Sequence, residues 1–238
     1  MRMGIGVTGY AMATEEQRGW LDATYQCLRV IDREYSALHG WPTSIKLTTV
    51  KPSGTLSLLA GVTSGGHPAY AEYYIRRIRI ASDSPLVEVC RASGFKVEYV
   101  RNFDGTDDHR TVVVEFPCKT PEHAIFARDI TAIDQLEMIK RLQTEWSDNA
   151  VSVTIYYKLE ELPAIKEWLA LNFTDCVKSV SFLLHSEHGF DQAPLEEITQ
   201  EQYLELSSRV TPITSVSFNE DDISEDQMAC PMGGCPLK

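Results

Sequence analysis

Thr48-Thr49-Val50-Lys51-Pro52-Ser53-Gly54-Thr55-Leu56-Ser57 is the stretch on which the reading of the fold turns. The run from Ile45 to Val50 is short and β-rich and predicts a strand. Pro52 and Gly54 break that run, and the apolar residues from Leu56 predict a short helix. A strand that turns through glycine into a helix is a local unit of α/β architecture. Backbone N–H groups at such a helix start are unpaired, and the helix dipole favours an anion there. Ser53, Thr55 and Ser57 add hydroxyl donors, and Lys51 adds charge. The stretch is not a P-loop, because the glycine spacing and the Lys-Ser/Thr pair are missing. Phosphate binding and a plain capped turn both remain open. Gly61 to His67, too Gly-rich for a helix, reads as a second ligand-facing loop.

Outward from this point the pattern repeats. Thr14 and Gln17 have capping-box spacing, and Trp20, Leu21, Cys27, Leu28, Ile31, Tyr35 and Leu38 recur with helical period, so residues 15–39 predict one long amphipathic helix stopped by Gly40. Residues 73–80 predict a strand. Ser84-Pro85 opens a helix that Gly94 closes. Residues 95–100 and 111–116 predict strands around the polar turn Asn102-Phe103-Asp104-Gly105. Further helices are expected at 132–146, 160–173 and 199–209, and strands at 151–157 and 178–184. Strands separated by helices indicate an α/β fold with largely parallel pairing. Residues beyond about 218 read as tail.

Composition narrows the class. The chain has 238 residues, 43% of them apolar, enough for a sizeable core. A net charge of -12 argues against phosphate-backbone binding by the whole surface, so no nucleic-acid partner is expected. No apolar run is long enough to span a membrane, and the N-terminus lacks a secretory pattern. Six cysteines without such a signal read as cytoplasmic thiols. Cys27, Cys90, Cys118 and Cys176 fall in periodic apolar segments and are expected to be buried core thiols.

The other two cysteines, Cys230 and Cys235, stand at the C-terminus around Gly233-Gly234, after an acidic stretch carrying Glu220, Asp221, Asp222, Glu225 and Asp226. A dithiol on a solvated arm suits electron exchange. A tail with incidental cysteines and half of a metal site are the competing readings, though no His lies near enough in sequence to complete a zinc set. The carboxylates should disfavour thiolate formation at Cys230, and the small ring between the sulfurs gains little loop entropy. Arg76, Arg77 and Arg79 form a positive cluster, better explained by a salt-bridge lattice than by anion binding. His185 and His188 follow a predicted strand end, where either a ligand site or two ordinary loop histidines would fit.

Several segments in order carry a resemblance. They are Met3-Gly4-Ile5-Gly6-Val7-Thr8-Gly9, Lys51-Pro52-Ser53-Gly54-Thr55-Leu56-Ser57, His67-Pro68-Ala69-Tyr70 and Tyr74-Ile75-Arg76-Arg77-Ile78-Arg79. Trp146-Ser147-Asp148-Asn149-Ala150-Val151-Ser152-Val153-Thr154, Ser179-Val180-Ser181-Phe182-Leu183, His185-Ser186-Glu187-His188-Gly189-Phe190 and the Cys-x4-Cys tail complete the series. Together they resemble the C-terminal part of the monomeric, adenosylcobalamin-dependent (class II) ribonucleoside-triphosphate reductases, over nearly the whole chain.

The resemblance implies part of the second half of a ten-stranded α/β barrel over residues 1–218, with an acidic tail at 219–238. It implies adenosylcobalamin as cofactor, ribonucleoside triphosphates as substrates, and thioredoxin or a similar carrier as reductant. It implies that Pro52, Ser53, Gly54 and Thr55 hold substrate phosphate, and that Cys230 and Cys235 re-reduce an active-site disulfide. The family's Asn-Pro-Cys-Gly-Glu motif, which carries the radical cysteine, does not occur here. The chain is therefore expected to need the missing N-terminal half as a partner, since a half-barrel exposes strand edges and apolar surface. Ser181-Phe182 stands where relatives fed by a diiron subunit carry two tyrosines, which favours the cobalamin class. A non-catalytic nucleotide-binding remnant and a free-standing dithiol carrier are the alternatives.

Overall fold

The computed structural model describes residues 2–102, 104–184, 192–214 and 216. The predicted residues His185, His188, Cys230 and Cys235 lie outside the described residues. The backbone divides into two compact units, one drawing on residues 1–71 and 120–187 and the other on 72–119 and 188–238.

In the first unit, β1 (Arg2–Gly6) and β2 (Lys46–Thr49) pair in parallel, and so do β6 (Thr154–Tyr157) and β7 (Ser181–Leu184). A parallel bridge between Val50 and Val151 joins the two pairs. The connection between β1 and β2 is α1 (Glu15–Leu38), started by the predicted capping box: Thr14 accepts from the Gln17 amide, and Gln17 accepts from that of Thr14. Helix α2 (Leu56–Ala60) follows β2, α4 (Ala132–Glu145) precedes β6, and α5 (Leu162–Cys176) connects β6 to β7. The core lies between helices and strands, where Leu136, Ile139 and Leu142 of α4 meet Val50, Val151 and Ile155 with Trp146 and Trp168. Burying such side chains contributes roughly 1.5–3 kcal/mol each.

The inward face of α1 differs from the one its apolar residues predict. Leu21, Tyr25 and Leu28 pack on the core, but Asp32 and Ser36 are buried while Ile31, Tyr35 and Leu38 are 52%, 55% and 79% exposed. The cause is a polar anchor. Asp32 accepts the Ser44 amide at 2.9 Å and the Ser44 hydroxyl at 2.7 Å, which turns that side of the helix inward. Cys27 is consequently exposed, against the expectation of a buried thiol; Cys90 is buried, and Cys118 and Cys176 are half-buried.

A second polar anchor holds the first unit together around Asp148. Its carboxylate accepts from Arg29, from the Tyr25 hydroxyl at 2.8 Å and from the Leu47 amide at 2.8 Å. Beside it, Thr48 donates to the Trp146 carbonyl at 2.5 Å and accepts the Asp148 amide at 3.0 Å. The Asn149 side chain donates to the Thr48 carbonyl at 2.7 Å, and the Trp146 indole to that of Thr49 at 3.1 Å. The Trp146–Asn149 turn thus clamps β2.

In the second unit the sheet order is β4-β5-β3-β8, all antiparallel, from β3 (Tyr73–Ala81), β4 (Lys96–Arg101), β5 (Asp107–Lys119) and β8 (Leu195–Glu197). This corrects the expectation of largely parallel pairing. Helix α3 (Pro85–Ala92) does return β4 parallel to β3, as a crossover should. The tight turn after β4 then sends β5 back between the two, pairing with both. Helix α6 (Gln200–Arg209) rests on this sheet, with Tyr203 against Tyr73 at 5.1 Å between ring centroids. Arg77 sits in the expected salt-bridge lattice: it donates to Glu115 at 2.8 Å, to the Ala193 carbonyl at 3.0 Å and to Glu196.

Candidate functional site

Three segments of the first unit converge where β2 ends. Pro52 removes a backbone donor and stops the strand. Gly54 donates to the Pro52 carbonyl at 2.8 Å, folding the chain sharply back. The first intrahelical bond then runs from the Ser57 amide to the Ser53 carbonyl at 3.1 Å, so the amides of Thr55 and Leu56 precede it and lack intrahelical partners. Thr55 occupies the N-cap position without a side-chain cap hydrogen bond. The simple capped-turn reading therefore loses its capping hydroxyl.

The predicted hydroxyls divide into separate roles. Ser57 is buried and donates back to the Ser53 carbonyl, so it stiffens the turn from within. Ser53 is tied to the segment after β1: its hydroxyl and that of Thr8 are 2.5 Å apart. Since Thr8 donates to the Thr63 carbonyl at 3.1 Å, Ser53 is the donor of the pair. Gly65 donates its amide to both oxygens, at 2.9 Å to Thr8 and 3.2 Å to Ser53. Thr55 and the exposed Lys51 remain at the surface of the turn.

The 61–67 loop is the third segment. Gly65 has φ +55°, and a Cβ there would stand 2.2 Å from the Lys51 carbonyl oxygen. Only glycine permits that backbone conformation at that closeness. The loop is also zipped to the residues after β1, through Gly9 to the Thr63 carbonyl at 2.9 Å and Tyr10 to that of Gly65 at 3.1 Å.

His67 closes the arrangement. One ring nitrogen, Nε2, accepts the Thr154 amide at 3.0 Å, which leaves Nδ1–H to donate to the Ser64 carbonyl at 3.0 Å. Burial pushes its pKa below the ordinary histidine value, against a smaller upward pull from the Ser64 carbonyl. A small cavity of about 100 Å³ lies here, lined by Pro52, His67, residues 151–154 and residues 179–181. The lining is rich in hydroxyls, from Ser152, Thr154, Ser179 and Ser181, and its volume suits a group the size of a phosphate.

Of the residues the sequence nominated, Pro52, Ser53, Gly54 and Thr55 are thus one sharp turn beside this cavity. The turn depends on Thr8 and Gly65, and the facing cavity wall on His67 and Thr154, none of which stands out individually in the sequence. The adjacent glycines Gly65-Gly66 were the available signal, since such a pair in a loop marks close backbone approach. Among the described residues no cluster of three His, Cys, Asp or Glu is placed to hold a metal ion, and no helix is long and apolar enough to cross a membrane.

No family model matches the chain. Adenosylcobalamin-dependent ribonucleoside-triphosphate reductases do. That of Levilactobacillus brevis is 38% identical over 91% of this chain and 30% of its own length. That of Euglena gracilis is 38% identical with the same two coverages, and that of Lactobacillus gasseri is 33% identical over 98% of this chain and 34% of its own. A crystal structure of a B-12 dependent (class II) ribonucleotide reductase superposes with a TM-score of 0.68 at 33% identity, covering 84% of this chain and 28% of that one. The chain spans about a third of the length of the curated relatives it matches. Over most of its length it is similar to a part of the adenosylcobalamin-dependent ribonucleoside-triphosphate reductases.

Proposed function

We propose that this chain is a C-terminal portion of an adenosylcobalamin-dependent ribonucleoside-triphosphate reductase, and that it works with an N-terminal portion carrying the radical cysteine. The assembled enzyme reduces ribonucleotides to 2′-deoxyribonucleotides. The observation that carries this reading is the similarity over 91% of the chain at 38% identity, which takes in the turn beside the cavity.

In this reading the turn Pro52-Ser53-Gly54-Thr55 receives substrate phosphate. Amides that precede the first intrahelical bond supply donors, Thr55 supplies a hydroxyl unspent on capping, and Lys51 supplies charge. Thr8 and Gly65 fix the turn so that these donors are in place before substrate arrives.

Adenosylcobalamin would supply the initiating radical. A cavity of about 100 Å³ has room for a phosphate but not for a corrin ring, so these residues do not fit the cofactor. In this reading the cofactor is shared with the N-terminal portion rather than held in this cavity.

Cys230 and Cys235 are the reducing shuttle. A Cys230 or Cys235 thiolate attacks the active-site disulfide, forming a mixed disulfide and releasing one active-site thiolate. The second tail thiolate then displaces the other, so two electrons pass to the site and the tail is left as a disulfide. Thioredoxin or a similar dithiol carrier reduces the tail by the same exchange.

The test is reconstitution. The chain, its N-terminal counterpart, adenosylcobalamin and a dithiol should together form deoxynucleotide from a ribonucleoside triphosphate. Absence of product with every component folded would refute the assignment. Tight nucleotide binding without turnover would instead identify a non-catalytic remnant.

A further inference from the structure

Parallel strands normally satisfy one another's backbone groups along their full length. Beyond the Val50–Val151 bridge this does not happen. Pro52 turns β2 away, while the neighbouring chain runs on through Ser152 and Val153 into β6. The Ser152 amide still reaches the Val50 carbonyl, at 3.0 Å, but two residues later the strand that would accept the Thr154 amide has gone. The group found there is the ring of His67.

We infer that His67 is a positioning residue that takes the place of the missing strand, holding Thr154 and the wall of the phosphate cavity through its neutral Nδ1–H tautomer. Its two hydrogen bonds, to the Ser64 carbonyl and from the Thr154 amide, use both ring nitrogens and connect the 61–67 loop to the start of β6. Protonation would put a second N–H on Nε2, facing the Thr154 N–H, and the contact would have to open. Burial favours the neutral ring, and the shift has no contribution from a charged side chain. Every other residue lining the cavity, from Pro52, 151–154 and 179–181, is uncharged as well. The link is therefore set by the state of this one ring. The consequence for ligand rests on the phosphate reading above: the cavity keeps its shape, and its affinity, only while His67 is neutral.

The experiment uses the full chain, labelled with ¹⁵N, and inorganic tripolyphosphate as probe. Long-range proton–nitrogen spectra should show His67 as the Nδ1–H tautomer, titrating below the ordinary histidine value of about 6.5. The Thr154 amide resonance should move with the same midpoint. By calorimetry, tripolyphosphate should bind more weakly on the acid side of that midpoint. His67→Gln, whose carbonyl oxygen can accept the Thr154 amide, should keep affinity within about twofold at neutral pH and lose the His-dependent step. His67→Phe should weaken binding about tenfold, the effect of one buried hydrogen bond left unmade.

An Nε2–H tautomer, a Thr154 amide that ignores the ring's titration, or wild-type affinity in His67→Phe would overturn the inference. So would tighter binding in acid that requires His67, since that would make the ring a direct anion ligand. If tripolyphosphate binds no form of the protein, the phosphate reading fails, and the coupling between ring and amide still decides the role of His67. If His67→Phe does not fold, the titration and the glutamine variant carry the test.

Discussion

One guanidinium nitrogen of Arg29 lies 3.0 Å from one carboxylate oxygen of Asp148 and 2.9 Å from the other, bridging α1 to the turn that clamps β2. Asp148→Ala would leave Arg29, the Tyr25 hydroxyl and the Leu47 amide without their shared acceptor. The pair is partly exposed, so the cost should fall below the full buried-pair value, at about 2–3 kcal/mol. Urea denaturation of the chain should show it. A loss under about 0.5 kcal/mol, the usual effect of a surface substitution, would mean the anchor is dispensable.

The same carboxylate predicts a pH dependence. Burial by itself would raise the Asp148 pKa, but the Leu47 amide, the Tyr25 hydroxyl and the Arg29 guanidinium outweigh it and hold the group below the ordinary carboxylate range. A group whose folded pKa is depressed contributes stability above its unfolded value of about 3.9, and loses that contribution as pH falls through the lower folded value. Denaturation midpoints of the wild type should therefore drop more steeply below about pH 4 than those of Asp148→Asn. Parallel curves for the two proteins would contradict the assignment.

Gly65→Ala should damage both stability and phosphate affinity. It combines a positive φ with a Cβ 2.2 Å from the Lys51 carbonyl, so the turn itself must shift. Gly40 offers the control: its φ is +66°, but a Cβ there meets nothing within 4 Å. Gly40→Ala should cost about 1 kcal/mol, and Gly65→Ala clearly more. Equal costs, read from thermal unfolding, would show that the close approach is unimportant.

The 2.5 Å contact between the Thr8 and Ser53 hydroxyls should appear as energetic coupling. In a double-mutant cycle of Thr8→Val and Ser53→Ala, the interaction should be about 0.5–1.5 kcal/mol, and each single change should weaken tripolyphosphate binding. Additive effects on stability would argue that the two side chains act separately.

Cys230→Ser should abolish turnover of the assembled enzyme when a protein dithiol is the reductant. A small dithiol that reaches the active-site disulfide directly should restore it. Unchanged turnover with the protein reductant would remove Cys230 from the electron path. In the isolated chain, the nearby carboxylates should keep the Cys230 thiol pKa from falling well below the reference of about 8.5, as thiol titration would reveal.

Local chemistry was the most legible part of the sequence. The Thr14–Gln17 capping box and the Ser84-Pro85 start each place a helix end within a residue of where it stands. Long-range polar pairing was not legible. The apolar period of residues 15–39 gives no sign of the contact between Asp32 and Ser44, and that contact moves the buried stripe of α1 away from Ile31, Tyr35 and Leu38. Strand direction was half legible: α3 indicated parallel β3 and β4, but no local signal placed β5 between them. For the site, the Lys51–Ser57 turn stood out through its own glycine and hydroxyls. His67 and Thr154 did not, because their bond spans 87 residues and each looks ordinary alone.

The Thr120 hydroxyl donates to the Ala71 carbonyl at 2.5 Å, just outside the place where Tyr73 of β3 pairs with Lys119 of β5. The segment between them leaves and re-enters the first unit at nearly one point. Its strands β3, β4 and β5 are close in sequence, so their pairing needs few long loop closures. The contacts of the first unit, such as Thr48 with Trp146, need the chain on both sides of that segment. Once β3 and β5 have zipped together, Ala71 and Thr120 are neighbours, and the effective loop between the two halves of the first unit shrinks to a few residues. The antiparallel β3–β5 pair is thus placed to act as a folding splint: formed first, it would bring the halves that frame the Pro52–Thr55 turn within reach of each other.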